Sequence, residues 1–189
     1  YFAENDFDDK QSRSFRRGGW WEHSKNEAEA IRSGLGLIDS TAFTKHLVSG
    51  KNARKFLDWF TCNKLPSEGR INLTYALSIL GTIRTEYTIV CLSKENYYLI
   101  SAGAWTEYDS DYLHKSLADS KFDSVNIYDC TSQWGVFSIA GPNSRSFLKK
   151  IVVSEDPDKT LSNKEFPWLS YRDIEIGMCP VRALRVAYT

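Results

Sequence analysis

Glu86 stands in the middle of "ILGTIRTEYTIV", where one apolar run turns at Gly81 and a second resumes at Ile83. A carboxylate inside a strand is either a solvent-facing charge or an acid–base group held over a ligand. Side chains alternate along a strand, so Ile83, Thr85, Tyr87 and Ile89 share one face, and Arg84, Glu86, Thr88 and Val90 the other. In the preceding strand, Ile71, Leu73, Tyr75, Leu77 and Ile79 form the apolar face. The small set Asn72, Thr74, Ala76 and Ser78 is then expected on Glu86's side of the hairpin, which leaves room for a ligand above it. On physics alone, an exposed Arg84–Glu86 pair of little energetic weight is the commoner arrangement.

The other reactive side chains form no recognisable constellation. His23, His46 and His114 have no partner at catalytic spacing and are expected to be structural, and no Ser or Cys sits in a nucleophile motif. Cys62, Cys91, Cys130 and Cys179 make no CxxC pair and, with the histidines, no metal-ligand spacing. Lone cysteines in apolar surroundings, as in Val90-Cys91-Leu92, read as buried thiols in a reducing compartment. The "GLG" at Gly34 to Gly36 follows a helix and not a strand, so it is no dinucleotide loop. Lys plus Arg and Asp plus Glu are 24 each, a net charge of zero, which argues against a nucleic-acid partner. No apolar stretch is long enough for a membrane span, and no signal peptide opens the chain. Both ends read as cuts from a longer protein.

The elements that position these residues are legible from periodicity. Residues 1–19 are polar and irregular and read as an arm from an upstream region. Helix formers run from Glu22 to Gly34, followed by a short strand, a turn near Asp39–Ser40, and a strand over Thr44–Ser49. In "KNARKFLDWF", Ala53, Phe56, Leu57 and Phe60 recur at helical spacing, with Asn52 in the N-cap region. "INLTYALSIL", "IRTEYTIVCL" and "YYLISAG" make an antiparallel meander. A helix spans Tyr108 to Ala118, further strands lie in "SVNIYDCT", "WGVFSIAG" and "VRALRVAYT", and a short helix starts at Pro142. Strand groups with helices inserted between them give an α+β class of antiparallel sheets.

Several stretches, in this order, resemble one family: "SFRRGGWWE" at 14–22, "GLIDSTAFTKHLVSGKNA" at 36–53, "NKLPSEGRINLTYALSILGTIRTEYTI" at 63–89, "WGVFSIAGPNSRSFLKKI" at 134–151, "LSNKEFPWLS" at 161–170 and "PVRALRVAYT" at 180–189. The chain is similar to the aminomethyltransferase (T-protein) family of the glycine cleavage system. It is closest to the folate-binding C-terminal region of dimethylglycine and sarcosine dehydrogenases. The resemblance implies the N-terminal part of an aminomethyltransferase folate-binding domain over 20–189, truncated at its C-terminal end. It implies tetrahydrofolate as cofactor and transfer of a one-carbon unit from a methylated amine to give 5,10-methylenetetrahydrofolate. It also implies an upstream flavin domain carrying FAD, and a mitochondrial matrix location in a eukaryote or a cytoplasmic one in a bacterium. A stand-alone aminomethyltransferase and a non-catalytic scaffold relative are the rival readings.

By the same resemblance, Glu86 falls on the family's catalytic acid, an Asp in the T-protein and a Glu in dimethylglycine dehydrogenase. Thr85 replaces the first acid of the family's pair, and Thr82 the second Gly of its turn. Thr88 on Glu86's face, Trp105 in "SAGAWTEYD" and Tyr188 in "AYT" are the further folate-binding candidates. Core packing competes for Trp105, and interface packing for Trp20 and Trp21. Arg182 or Arg185 could meet a glutamate tail, against the commoner role of an exposed base.

Overall fold

The structure is a computed structural model that describes residues 17–187. Most of the arm at 1–19 and Tyr188 therefore lie outside the described residues. The described chain forms two compact units, 17–39 with 137–150 and 40–136 with 151–187.

The first unit holds α1 (Trp20–Ser33), β1 (Gly36–Asp39) and β7 (Phe137–Ala140), and α4 (Ser144–Ile151) follows β7. α1 ends where its sequence stops favouring helix, with the Gly34 N–H donating to Ala30 O at 2.9 Å. β1 and β7 pair antiparallel from Gly36 opposite Ala140 to Asp39 opposite Phe137. Pro142 precedes α4 and does not start it. Gly141 takes φ +113°, and a Cβ there would meet Gly34 O at 2.5 Å, so Pro142 and Asn143 complete a turn before Ser144. Trp20 and Trp21 pack edge to face at 5.9 Å, and the Arg17 guanidinium lies 4.0 Å over the Trp21 ring.

The second unit is built on a five-stranded sheet of order β3-β4-β5-β2-β6, comprising β2 (Thr44–Ser49), β3 (Ile71–Leu77), β4 (Ile83–Ser93), β5 (Asn96–Ser101) and β6 (Asn126–Asp129). Every neighbouring pair is antiparallel, and β3, β4 and β5 form the expected meander. One face packs against α2 (Ala53–Phe60) and α3 (Thr106–Asp119). The four α2 residues at helical spacing, Ala53, Phe56, Leu57 and Phe60, are all buried, together with Leu113 of α3 and Val48, Tyr87, Ile89, Tyr97 and Leu99 of the sheet. Asn52 makes no side-chain cap to α2. Its Nδ2 instead donates to Asp123 Oδ1 at 2.7 Å.

After the short α5 (Pro157–Thr160), the hairpin of β8 (Ser170–Ile176) and β9 (Cys179–Arg185) turns at Gly177, whose φ is +60°. Sequence periodicity marks no strand at β8. The hairpin is tied to the meander by Tyr171 Oη, which donates to Leu92 O at 3.3 Å. Arg182 pairs with Asp173 at 2.8 Å, and Arg185 donates to Asn163 Oδ1 at 2.8 Å, so both arginines serve the local structure. No helix among the described residues is long and apolar enough to cross a membrane.

Ile71 is buried as expected, but from Leu73 to Leu77 the faces of β3 are the reverse of the sequence expectation. Thr74 and Ala76 are buried, at 1% and 0% exposure, while Leu73 and Leu77 stand at 43% and 37%. The cause is volume. The inner layer is taken by the rings of Phe60 and Tyr87, 5.9 Å apart, so the strand over them presents its small side chains.

Candidate functional site

The hairpin between β3 and β4 closes through its backbone and through Thr82. The Ser78 N–H donates to Thr82 O at 2.8 Å, the two hydroxyls lie 2.7 Å apart, and Gly81 supplies φ +77°. Thr82 thus has its own use in the turn.

Beyond the turn the register skips one residue. Leu77 pairs with Ile83 but Ala76 with Thr85, leaving Arg84 as the extra residue of a bulge. A bulge re-aims its side chain, and here the Arg84 guanidinium donates to Tyr108 Oη at 3.1 Å. From Thr85 to Val90 the pairing with β3 is regular. Thr85, Tyr87 and Ile89 are buried toward the helical core and Glu86 is exposed on the opposite side, as expected. Its surroundings differ from the expectation. Tyr75, and not the small set, stands directly across from Glu86, and Leu73 across from Thr88. The carboxylate holds the Tyr75 hydroxyl above the ordinary tyrosine pKa, first by side-chain hydrogen bonding and then by charge.

Beside β4 lies a cleft of about 540 Å³, within the size range of small-molecule sites. Glu86, Thr88 and Arg84 line it, with Trp105, Tyr108 and Phe43 as aromatic walls. It brings together three of the four sequence candidates, Glu86, Thr88 and Trp105. Trp105 is 62% exposed, so it is a wall of the cleft and not a core residue. Its ring meets Tyr108 edge to face at 6.1 Å. Arg84, Tyr108 and Phe43 also line the cleft, and the sequence does not mark them as site residues. The one signal for Tyr108 is its position three residues after Trp105 at a helix start, which stacks the two on one side of the helix.

The aromatic walls are held by buried groups. Lys45 is fully buried, and its ammonium donates to Thr41 O at 2.8 Å and Phe43 O at 2.7 Å. This fixes the segment that carries Phe43, and burial lowers the lysine pKa. The Thr44 and Thr106 hydroxyls lie 2.6 Å apart, and Thr106 Oγ1 donates to Gly103 O at 2.8 Å. Gly103 lies so close to the same segment that a Cβ would meet Ala42 O at 1.9 Å.

A carboxylate, a guanidinium and an aromatic wall in one open cleft can take a flat ring bearing N–H donors and an anionic substituent. Of the histidines, His46 is buried in the core and its pKa is lowered by desolvation. Cys91 and Cys130 are buried, Cys62 and Cys179 are exposed, and all four are free thiols. No group of three or more His, Cys, Asp or Glu side chains among the described residues can hold a metal ion.

A family model described as the GCVT N-terminal domain matches residues 1–189. Mouse mitochondrial dimethylglycine dehydrogenase is 30% identical over 176 residues, which cover 93% of this chain and 20% of that protein. A probable aminomethyltransferase of Thermococcus kodakarensis is 23% identical over 175 residues, covering 90% of this chain and 42% of that one. The chain thus spans about a fifth of the dehydrogenase's length. Among solved structures, the glycine cleavage system aminomethyltransferase T from Bartonella henselae superposes with a TM-score of 0.66 at 17% identity, over 79% of this chain and 38% of that one. Heterotetrameric sarcosine oxidase from Corynebacterium sp. U-96 does so with 0.61 at 16%, over 93% and 84%. Those two likenesses establish a shared fold, and with the match over its whole length this chain belongs to the GCVT N-terminal domain family.

Proposed function

We propose that the cleft beside β4 binds tetrahydrofolate, and that residues 20–189 act as the N-terminal part of a folate-binding domain in a flavin-dependent enzyme that demethylates an amine of the dimethylglycine or sarcosine type. The observation that carries this reading is the Glu86 carboxylate in the same cleft as the Trp105 and Tyr108 rings. Those residues fit the cofactor. The rings suit a pterin, Glu86 suits its amines, and Thr88 offers a hydroxyl on the floor. Tyr188 is the remaining candidate contact. When bound, tetrahydrofolate supplies the nitrogens that accept the one-carbon unit.

The chain's own part in the chemistry follows from its groups. Glu86 accepts a hydrogen bond from a ligand amine and exchanges its proton. Tyr75 orients the carboxylate from across the strand. Trp105 and Tyr108 exclude water from one side of the ligand. The FAD-bearing domain, and a mitochondrial location if the protein is eukaryotic, are supported by the likeness to mitochondrial dehydrogenases; in a bacterium the same reading gives a cytoplasmic enzyme. A stand-alone aminomethyltransferase is the second reading, supported by the likeness to the Thermococcus protein. A flavin spectrum from the natural-length protein separates the two.

The test supplies that protein with dimethylglycine and tetrahydrofolate. The reading expects 5,10-methylenetetrahydrofolate in place of free formaldehyde, and a rate of capture about 10²-fold lower in Glu86→Gln, the usual scale for a lost acid–base group. Formaldehyde release that ignores tetrahydrofolate contradicts it.

A further inference from the structure

Four residues of the second unit carry buried side-chain polar atoms that make no hydrogen bond to another protein group: His46, Tyr87, Ser101 and Asp109. The sheet register brings three of them together. Thr44 pairs with Ser101, and His46 lies two residues along the same face of β2. Tyr87 is one step beyond the Thr88–Ile100 pair, which sets it beside Ser101. The fourth comes from above. α3 begins at Thr106, whose hydroxyl is 2.6 Å from that of Thr44, and Asp109 follows within one turn. His46 and Asp109 are each only 1% exposed. The Asp109 carboxylate acts electrostatically on both the His46 ring and the Tyr87 hydroxyl.

Folded proteins do not leave this many polar atoms unmatched at one spot, because each carries a desolvation penalty with nothing to offset it. The inventory is complementary. The carboxylate accepts, the two hydroxyls donate and accept, and a neutral imidazole offers one donor and one acceptor. A water molecule has two donors and two acceptors, and buried waters characteristically bridge such groups.

We propose that His46, Tyr87, Ser101 and Asp109 enclose an internal water site beneath α3. Ser101 also lines the cleft, so the site borders the cleft floor. Water bridging the sheet to Asp109 holds the first turn of α3, the turn that carries Tyr108 into the aromatic wall. The inference does not depend on what the cleft binds.

The test uses the natural-length protein. A crystal structure fine enough to show ordered water is expected to place one within hydrogen-bond distance of the Asp109 carboxylate and of Tyr87 Oη, Ser101 Oγ or the His46 ring. Amide hydrogen exchange along α3 is expected to quicken about 2- to 10-fold in Tyr87→Phe and in Ser101→Ala, the scale of one lost hydrogen bond. Ser101→Ala keeps the test open if Tyr87→Phe does not fold. A space without ordered water, or direct bonds from Asp109 that exclude it, overturns the proposal. So does exchange that is unchanged or slower in both variants, since removing an unmatched hydroxyl costs nothing.

Discussion

Tyr75 and Glu86 face each other directly across the β3–β4 ladder, and the carboxylate raises the pKa of the tyrosine by hydrogen bonding and charge. A hydroxyl set directly across a ladder from a carboxylate is placed to orient it. Tyr75→Phe is therefore expected to weaken binding of 5-formyltetrahydrofolate about 2- to 10-fold, the range for one hydrogen bond, and to leave the denaturation midpoint unchanged. Unaltered affinity in a fluorescence titration contradicts that orienting role.

The reversed faces of β3 predict opposite outcomes for neighbouring residues. Ala76→Leu forces a larger side chain against Phe60 and Tyr87 and is expected to cost about 1–3 kcal/mol. Leu77→Ser on the outer side is expected to stay within about 0.5 kcal/mol of the parent. Urea denaturation of both checks this, and equal costs argue against the assignment of faces.

Gly103 and Ala42 bring together the segments that bear Trp105 and Phe43. Because a Cβ at Gly103 would meet a backbone oxygen at 1.9 Å, Gly103→Ala must part those segments. Ligand affinity is expected to fall at least about tenfold, since misplaced contacts forfeit their binding energy. Affinity equal to the parent's places the ligand away from these walls.

His46 gives the protein an acid-sensitive core. Burial lowers its pKa below 6.5, against the opposing pull of Asp129 and Asp109, while His114 adds to the lowering. Between its folded pKa and 6.5, the unfolded chain binds a proton that the folded chain does not, so stability falls as pH falls through that window. Chemical denaturation at about pH 7.5 and pH 5.5 is expected to show this loss, and His46→Leu to reduce it. An identical slope in the variant assigns the acid sensitivity to other groups.

The sequence reveals most about elements whose environment is one-sided. α2 has a single buried face, and the spacing of Ala53, Phe56, Leu57 and Phe60 names it. The position of Glu86 away from Tyr87 and Ile89 follows in the same way from strand alternation. The face of β3 is not legible, because hydrophobicity reports preference and not room. Two rings beneath the strand leave space only for Thr74 and Ala76. The bulge at Arg84 is equally silent, since one skipped residue leaves no trace in composition, yet it sends a guanidinium toward Tyr108. The sequence marks Trp105 as aromatic near a helix start. Only the cleft tells whether such a ring is core or wall.

The central claim is that Glu86 meets the ligand in the cleft beside β4. The most direct measurement titrates the natural-length protein and its Glu86→Gln variant with 5-formyltetrahydrofolate, following tryptophan fluorescence. The account predicts saturable binding that weakens about tenfold or more in the variant, on the scale of a lost hydrogen bond to a charged group. Equal affinity in the two proteins, or no binding to either, would contradict it.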